Sequence, residues 1–224
     1  GFTETKKLDK KAHEWGTEYT VDQPATFAAD GSKSIHCKNC ETISEAIAIP
    51  RINSVKISAT ACTYSGGVKT PSVTVKDANG NALHNKTDYI VQYASGRKNV
   101  GTYKVSVTFK DNYSGKKTLS FTINPKGTAI SSLSKSKKAF TAKWAKQSVQ
   151  TTGYQVQYST SKNFKKSVKT ATISKNKTVS KTVKKLKAKK TYYVRVRTYK
   201  TVKVNGKSVK LYSGWSSAKS VKTK

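Results

Sequence analysis

The sequence has no methionine, only three cysteines, and no apolar run that approaches the roughly 18 residues of a membrane-spanning helix. Without Met, and without a basic-then-apolar leader after Gly1, we expect a fragment of a longer protein with no membrane span in it. Three cysteines are too few for a disulfide scaffold, and an odd number leaves at least one unpaired or bound to a metal. Because hydrophobic residues make up only 35% of the 224 positions, several thin sandwiches are favoured over one large core.

Acidic residues are scarce, and the last one in the chain is Asp111. Residues 126–224 therefore cannot supply a carboxylate pair or a Ser-His-Asp set. Among the three histidines, His84 lies in a turn region rich in Asn and Lys, where we expect its ring to be solvated. No glycine-rich phosphate loop precedes a helix. These absences predict that the chain is not an enzyme.

Basic residues dominate what is present: 44 Lys and Arg against 11 acids give a net charge of +33. Residues 1–50 carry 6 basic and 8 acidic residues, whereas residues 126–224 carry 27 basic residues and no acid. Such a field attracts polyanions, among them teichoic acid, nucleic acid and sulfated or sialylated glycans. Only four residues are Arg, the side chain that binds phosphate and guanine bidentately, so specific nucleic-acid recognition is not expected. The alternative is that Lys keeps exposed strand edges soluble and unpaired.

Apolar and polar residues alternate through the second and third parts of the chain, which predicts β-strands. The run 101–109 shows this most clearly. Four of its residues would share one face: Tyr103, Val105, Val107 and Phe109. Turn residues separate such runs every 8–12 positions or so, as is typical of β-sandwiches, and Asn205-Gly206 predicts a two-residue hairpin turn. We therefore predict an all-β chain: a small Cys-x-x-Cys module at 1–50, then β-sandwiches at 51–125 and 126–224.

The pair Cys37 and Cys40 has the spacing that places two thiolates on one zinc ion. His13 and His36 are available as further ligands in the same module. Because His36 adjoins Cys37, its ring would point to the opposite face of a strand, so His13 is the better candidate. A disulfide across the loop and a pair of free thiols are the alternatives. We favour structural zinc, because a module of about 40 residues usually needs a staple.

Residues 126–224 resemble a fibronectin type III domain. Trp144 stands where that family has a core Trp on its second strand, and residues 186–197 match the corner leading into its sixth strand. The resemblance implies that Tyr192 is the corner tyrosine, with its hydroxyl bonded to upstream backbone. The Arg-Gly-Asp tripeptide with which members of the family bind integrins is absent, so that activity is not implied.

Residues 51–125 resemble a bacterial immunoglobulin-like repeat found in surface proteins of Gram-positive gut anaerobes. The matching segments are 64–66, 71–75, 87–89, 99–103 and 112–115. Cys62 stands where an ordinary strand residue is expected, and we interpret it as a substitution private to this chain. Residues 11–49 resemble a short Cys-containing module of the same surface proteins. The shared pieces are His13-x-Trp15, Ala25-Thr26, Asp30-Gly31 and His36-Cys37-x-x-Cys40.

These resemblances imply tandem immunoglobulin-like and fibronectin type III sandwiches in a secreted or cell-surface protein of bacterial origin. We predict a non-catalytic, monomeric adhesion fragment that presents a binding face to a host glycan or host protein. An immunoglobulin variable domain, captured in the manner of a superantigen, is the first specific protein ligand considered. The alternative is a spacer, or an accessory region that tethers a larger surface enzyme to an anionic cell-wall polymer.

One further group of residues draws attention near the end of the chain. Arg195 and Arg197 should face outward from their strand, and Trp215, just before the adjacent last strand, can stack on their guanidinium groups. The resemblance here is to the Trp–Arg ladder of cytokine-receptor domains, of which only the second Trp-Ser half is present. The alternative is an exposed platform of Trp215 and Tyr199 that binds a sugar ring or a partner protein. We favour the ladder, since Lys has no planar face to stack.

Overall fold

The computed structural model describes residues 12–204 and 206–224, and within them the chain is built entirely from strands, turns and loops. The all-β prediction is thus confirmed. The strands are β1 (Thr20–Gln23), β2 (Gly31–Ser34), β3 (Ile47–Ile49), β4 (Ile52–Ile57), β5 (Ala61–Thr63), β6 (Val73–Asp77), β7 (Ala82–Leu83), β8 (Tyr89–Tyr93), β9 (Gly101–Phe109), β10 (Lys116–Asn124), β11 (Ile130–Ser136), β12 (Ala139–Trp144), β13 (Gly153–Ser159), β14 (Lys169–Ile173), β15 (Ser180–Val183), β16 (Thr191–Val204), β17 (Lys207–Tyr212) and β18 (Lys219–Lys222). No helix of the described residues is long and apolar enough to cross a membrane.

The chain groups into two compact units, each described by itself. The first comprises Gly1–Ser58, Ser72–Gln92 and Ser106–Leu119, and the second comprises Ala59–Pro71, Tyr93–Val105 and Ser120–Lys224. Residues 1–11 of the predicted first module lie outside the described residues. The predicted division into 1–50, 51–125 and 126–224 stays a prediction.

In the first unit, β1, β2 and β3 form an antiparallel sheet, and β4, β6 and β7 form another. One apolar core contains residues from both of these sheets. Its buried members are Ala25, Ile49, Ile52, Val75, Leu83, Tyr89, Val107, Phe109 and Tyr113. The polar N-terminal segment is tied to this core by backbone hydrogen bonds, for example from the Ala25 amide to the Asn112 carbonyl (2.9 Å) and from the Ile52 amide to the Thr26 carbonyl (2.8 Å).

A further sheet has the strand order β5-β10-β9-β8, with β5 parallel to β10. On β9 the predicted alternation is present. Val105, Val107 and Phe109 are buried, Tyr103 on the same face is partly buried, and Thr102, Lys104 and Thr108 are exposed. The pleat of the strand thus divides this run as the sequence pattern predicts.

Residues after 126 form two facing sheets, as expected for a sandwich. One has the order β11-β12-β15, and the other has the order β14-β13-β16-β17 with β18 also paired to β16. Side chains from both sheets build one core, in which Trp144 is 3% exposed and Phe140, Val194 and Val196 are fully buried. The backbone N–H of Lys187 donates to the Tyr192 hydroxyl at 3.1 Å, which confirms the predicted tyrosine corner.

The hairpin between β16 and β17 closes with Val204 paired to Lys207, as the Asn-Gly turn predicts. Gly206 has a φ of 78°, in the left-handed region that such a turn requires. Asn205 itself lies outside the described residues.

The first and last strands of this sandwich run side by side in the same direction. The side-chain Nζ of Lys219 donates to the Ser131 carbonyl at 3.2 Å, near the start of both strands. At their other ends, the Lys224 amide donates to the Ser136 carbonyl at 3.0 Å and the Lys138 amide donates to the Lys224 carbonyl at 2.9 Å. The polypeptide therefore enters and leaves the sandwich at opposite ends.

Candidate functional site

His13, Cys37 and Cys40 come together in the first unit, and we refer to these three residues as the Cys/His cluster. One donor atom from each lies within 4.8 Å of the others. The Nδ1 atom of His13 is 3.2 Å from the sulfur of Cys40. Cys37 is 8% exposed, while Cys40 and His13 are open to solvent. The arrangement places two sulfurs and one imidazole nitrogen around a common point at the surface.

Two short backbone segments hold the Cys/His cluster. Trp15 and Cys37 form an antiparallel β-bridge, and the Lys38 amide donates to the Glu14 carbonyl at 2.8 Å. The His13 ring lies against the Trp15 ring, with 5.3 Å between centroids. These contacts explain why a histidine 24 positions before Cys37 reaches the sulfurs: its segment runs antiparallel to the Cys-x-x-Cys loop.

Polar contacts around Cys37 lower the pKa of its thiol. The backbone N–H of Asn39 bonds to the sulfur of Cys37 and lowers the pKa of that thiol, and the Cys40 side chain acts in the same direction. The Glu14 carboxylate is held by Lys38 Nζ at 2.7 Å and Asn39 Nδ2 at 3.2 Å. These two bonds lower the pKa of Glu14. The carboxylate is therefore occupied by its own partners.

His36 does not join the cluster. Its Nε2 lies 2.7 Å from Asp22 Oδ1, and this contact is the main cause of the lowered pKa of Asp22. The Ser34 hydroxyl donates to the same carboxylate oxygen at 2.9 Å. The alternation argument that separates His36 from Cys37 thus agrees with the observed positions. Cys62, on β5, is a free cysteine that belongs to the other unit.

In the second unit, two arginines and three rings form one continuous pile, which we call the arginine–aromatic stack. Its members in order are Phe164, Arg195, Trp215, Arg197 and Tyr212. The Arg195 guanidinium carbon is 4.0 Å from the Phe164 ring centroid and 4.8 Å from that of Trp215. The Arg197 carbon is 4.3 Å from the centroid of Trp215 and 3.8 Å from that of Tyr212. The predicted stacking of Trp215 on both arginines is confirmed.

The strand register supplies a second set of partners for the stack. Gln157 and Gln155 on β13 stand directly opposite Arg195 and Arg197 on β16. The Gln157 Oε1 accepts two hydrogen bonds from Arg195, at 2.8 and 2.5 Å, and the Gln155 Oε1 accepts two from Arg197, at 2.9 and 2.7 Å. Burial against these neighbours lowers the pKa of both arginines, which still leaves them charged because free Arg ionises far above neutral pH.

Tyr199 is not part of an exposed platform. The prediction that it could offer its ring to a ligand is wrong, since it is 2% exposed. Its ring packs against Tyr212, with 6.0 Å between centroids, and Lys210 Nζ lies over it at 5.0 Å. The residue opposite on β13 is Gly153, where an added Cβ would come within 3.0 Å of the Tyr199 hydroxyl. The same Cβ would clash more severely with the carbonyl oxygen of Ile173 on β14, so the missing side chain at Gly153 leaves room for that neighbouring backbone as well as for the tyrosine.

The third feature is the unpaired positive charge of residues 126–224. Every ion pair found among the described residues uses an acid no later than Asp111. A hollow of about 410 Å³ lies on this domain, and we call it the lysine hollow. It is lined by Tyr158, Thr160, Ser167, Lys169, Lys185, Leu186, Lys187, Lys190 and Tyr192.

Sequence reasoning missed the lysine hollow, two members of the stack and the two glutamines that bond to its arginines. Phe164 and Tyr212 lie far from the arginines along the chain, so only strand pairing could reveal them. The glutamines left a usable signal, because Gln155-x-Gln157 repeats the two-residue spacing of Arg195-x-Arg197. Phe164 adopts a φ of 55°, unusual for a bulky residue, and its ring contact with Arg195 accompanies that conformation.

The family model of the fibronectin type III domain matches residues 124–213. Similar solved structures include the FN1–FN3 domains of chicken CNTN1, at 15% identity, covering 87% of this chain and 77% of that one with a TM-score of 0.35. Domains A168–A170 of titin are 14% identical, covering 93% of this chain and 83% of that one with a TM-score of 0.32. The comparison with curated proteins found no match. On the family match, residues 124–213 of this chain form a fibronectin type III domain.

Proposed function

We propose that the chain is a non-catalytic binding fragment of an extracellular bacterial surface protein, and that its fibronectin type III domain binds an anionic polymer. The observation that carries the proposal is the charge of residues 126–224, which include 27 basic residues and no acid. A positive surface without internal counter-charges raises the local concentration of polyanions and speeds their encounter.

The cations of this domain divide into two groups. Its two arginines are engaged by rings and glutamines in the arginine–aromatic stack. The lysines carry the charge that faces solvent. Lys is a hydrated point charge without the planar fork that selects one base or one phosphate geometry. This division supports recognition of charge density along a polymer, and it argues against recognition of a nucleotide sequence.

We assign that recognition to the lysine hollow. Four lysines line it together with Thr160 and Ser167, and ammonium and hydroxyl groups can donate hydrogen bonds to sulfate or phosphate oxygens. Teichoic acid of the cell wall and sulfated host glycans share this chemistry. Binding to the wall would tether the protein, whereas binding to a host glycan would make it an adhesin.

The experiment measures binding of the purified chain to teichoic-acid-containing cell wall, to heparin and to neutral dextran over a range of salt concentrations. We expect binding to one or both anionic polymers, with an affinity that falls steeply with salt because counterions are released on binding. The stronger of the two anionic ligands identifies the source. Equal binding to dextran, or affinity independent of salt, would overturn the proposal.

Charge variants locate the contact. Replacing Lys169, Lys185, Lys187 and Lys190 with Gln should weaken binding more than replacing four exposed lysines elsewhere in the domain. The matched control set is Lys135, Lys137, Lys146 and Lys207. Both sets remove the same charge, so an equal effect of the two would contradict a role of the lysine hollow.

A host protein, immunoglobulin included, is the alternative ligand. Pull-down from serum and mucus at physiological salt distinguishes it from the polymer. Immunoglobulin retained equally by the native chain and by the variant lacking the four hollow lysines would favour the protein ligand. Retention of neither protein nor polymer would leave the chain as a spacer.

A further inference from the structure

The spacing of the three donor atoms in the Cys/His cluster suits a single metal ion. Zinc lies about 2.3 Å from thiolate sulfur and about 2.0–2.1 Å from imidazole nitrogen, which puts tetrahedral ligands roughly 3.4–3.8 Å apart. The His13 nitrogen and the Cys40 sulfur are 3.2 Å apart, and all three donor atoms lie within 4.8 Å of one another. Shifts of a few tenths of an ångström for the closest pair, and about an ångström at the far limit, would bring them to these values.

The donor types select the metal. Two sulfurs and one imidazole form a soft set that suits zinc and disfavours calcium or magnesium, which bind oxygen. The carboxylate of Glu14, a neighbour of His13 in the chain, is held by Lys38 and Asn39.

The position of His13 favours a metal over a simple disulfide. A bridge between Cys37 and Cys40 needs no histidine, yet the His13 ring is turned to the Cys40 sulfur and packed on Trp15. The β-bridge of Trp15 with Cys37 and the bond from the Lys38 amide to the Glu14 carbonyl hold the two segments in register.

We propose that His13, through Nδ1, and the thiolates of Cys37 and Cys40 bind one Zn²⁺ ion, which staples two segments of the N-terminal region. Among the described residues no fourth His, Cys, Asp or Glu joins the cluster. This site is independent of the polymer binding proposed above, because it lies in the other unit.

The test is metal analysis of the full chain purified without chelators. We expect about one zinc per chain. His13→Ala, Cys37→Ser and Cys40→Ser should each lower zinc binding at least tenfold, whereas the matched controls His36→Ala and Cys62→Ser should retain it. His13→Cys should also retain the metal, since a third thiolate replaces the imidazole.

Cobalt provides a measurement on the native chain that does not depend on variants folding. Co²⁺ added to the metal-free protein should give thiolate-to-metal charge-transfer absorption and the visible bands of a tetrahedral site, and zinc should displace it. His13→Cys should strengthen the charge-transfer absorption.

Several results would overturn the proposal. A Cys37–Cys40 disulfide found by mass spectrometry of metal-free native protein, with no zinc taken up after reduction, would assign the pair to a bridge. Zinc retained by Cys37→Ser and Cys40→Ser would show adventitious binding. Loss of zinc in His36→Ala would assign the site to other ligands.

Discussion

Different interactions stabilise the N-terminal region, residues 12–49, and the fibronectin type III domain. The N-terminal region has strands of three or four residues and buries three apolar side chains: Ala25, Cys37 and Ile49. The fibronectin type III domain has strands of up to fourteen residues around a continuous core. Apolar burial can stabilise the second region by itself. The first depends on backbone links to a larger core and on its polar contacts.

The two regions also differ in the contacts that their Lys and Arg side chains make. Near the N-terminal region, where acids are present, Arg51 lies 3.9 Å from Asp30 and Lys38 lies 2.7 Å from Glu14. In the acid-free domain, Arg195 and Arg197 lie between rings and bond to glutamine oxygens. An arginine thus uses its planar face and its donors where no carboxylate exists, and a lysine cannot do both.

Removing a ring from the apolar core tests whether apolar burial stabilises the fibronectin type III domain. Phe140 is fully buried in the fibronectin type III core. We expect Phe140→Ala to lower the free energy of unfolding of that domain by about 3–5 kcal/mol, because it leaves a cavity among packed rings. Urea unfolding monitored by near-ultraviolet circular dichroism measures the loss. Zinc content should stay unchanged, and a coupled loss of zinc would show that the two regions do not fold independently.

Chelation tests whether the proposed zinc ion stabilises the N-terminal region. Metal removal should loosen residues 12–49 while the fibronectin type III domain keeps its stability, because the proposed staple lies in the first unit. With free zinc at about one hundred times its dissociation constant, the metal contributes about 2.7 kcal/mol. Amide hydrogen exchange with and without chelator shows which segments lose protection. Equal protection in both conditions would mean that backbone links alone hold the region.

Exchanging arginine for lysine at constant charge sharpens the contrast between the two kinds of cation contact. Arg195→Lys with Arg197→Lys should lower the stability of the domain by about 1–2 kcal/mol, since stacking on Trp215 and the paired bonds to glutamine are lost. Thermal unfolding measures this effect. The control is Lys203→Arg with Lys207→Arg on the exposed hairpin, which should change stability little. A double variant as stable as the native chain would show that the arginine–aromatic stack does not stabilise the domain.

The smallest expected effect is that of a single hydroxyl. Tyr192→Phe removes the acceptor for the Lys187 amide and keeps the ring in the core. We expect a loss of about 1 kcal/mol, the usual net value of one hydrogen bond. Chemical denaturation resolves it, with Tyr193→Phe as the control, because Tyr193 lies on the opposite face of β16. Equal losses in the two variants would contradict a special role of the corner.

Local pattern was enough to predict the strands, the core Trp144, the corner Tyr192 and the stacking of Trp215, because two-residue alternation fixes which side chains share a face. The same rule separated His13 from His36. It failed for Tyr199, which shares the outward face of Arg195 and Arg197 but is covered by Tyr212 and Lys210 from β17. Covering by a neighbouring strand depends on register between distant segments, and no local pattern contains it.

Two other features depended on the same kind of long-range information. Ala25 lies in a polar stretch, yet it is fully buried because its backbone bonds to Asn112 and Ser114. The lysine hollow gathers residues from 158 to 192 that lie on β13, β14 and β16 and on the loops that adjoin these strands, so they approach each other only when the three strands are paired. Charge composition could predict an anionic partner but not where on the domain it would bind.

The parallel course of β11 and β18 has a mechanical consequence. Because the chain enters near Ile130 and leaves near Lys224, at opposite ends of these strands, tension on the two connections pulls along the strands. The hydrogen bonds that join β11 to β12 and β18 to β16 are then loaded in shear, all at once, instead of opening one after another like a zipper. A domain loaded in this way resists extension until a whole strand slides free.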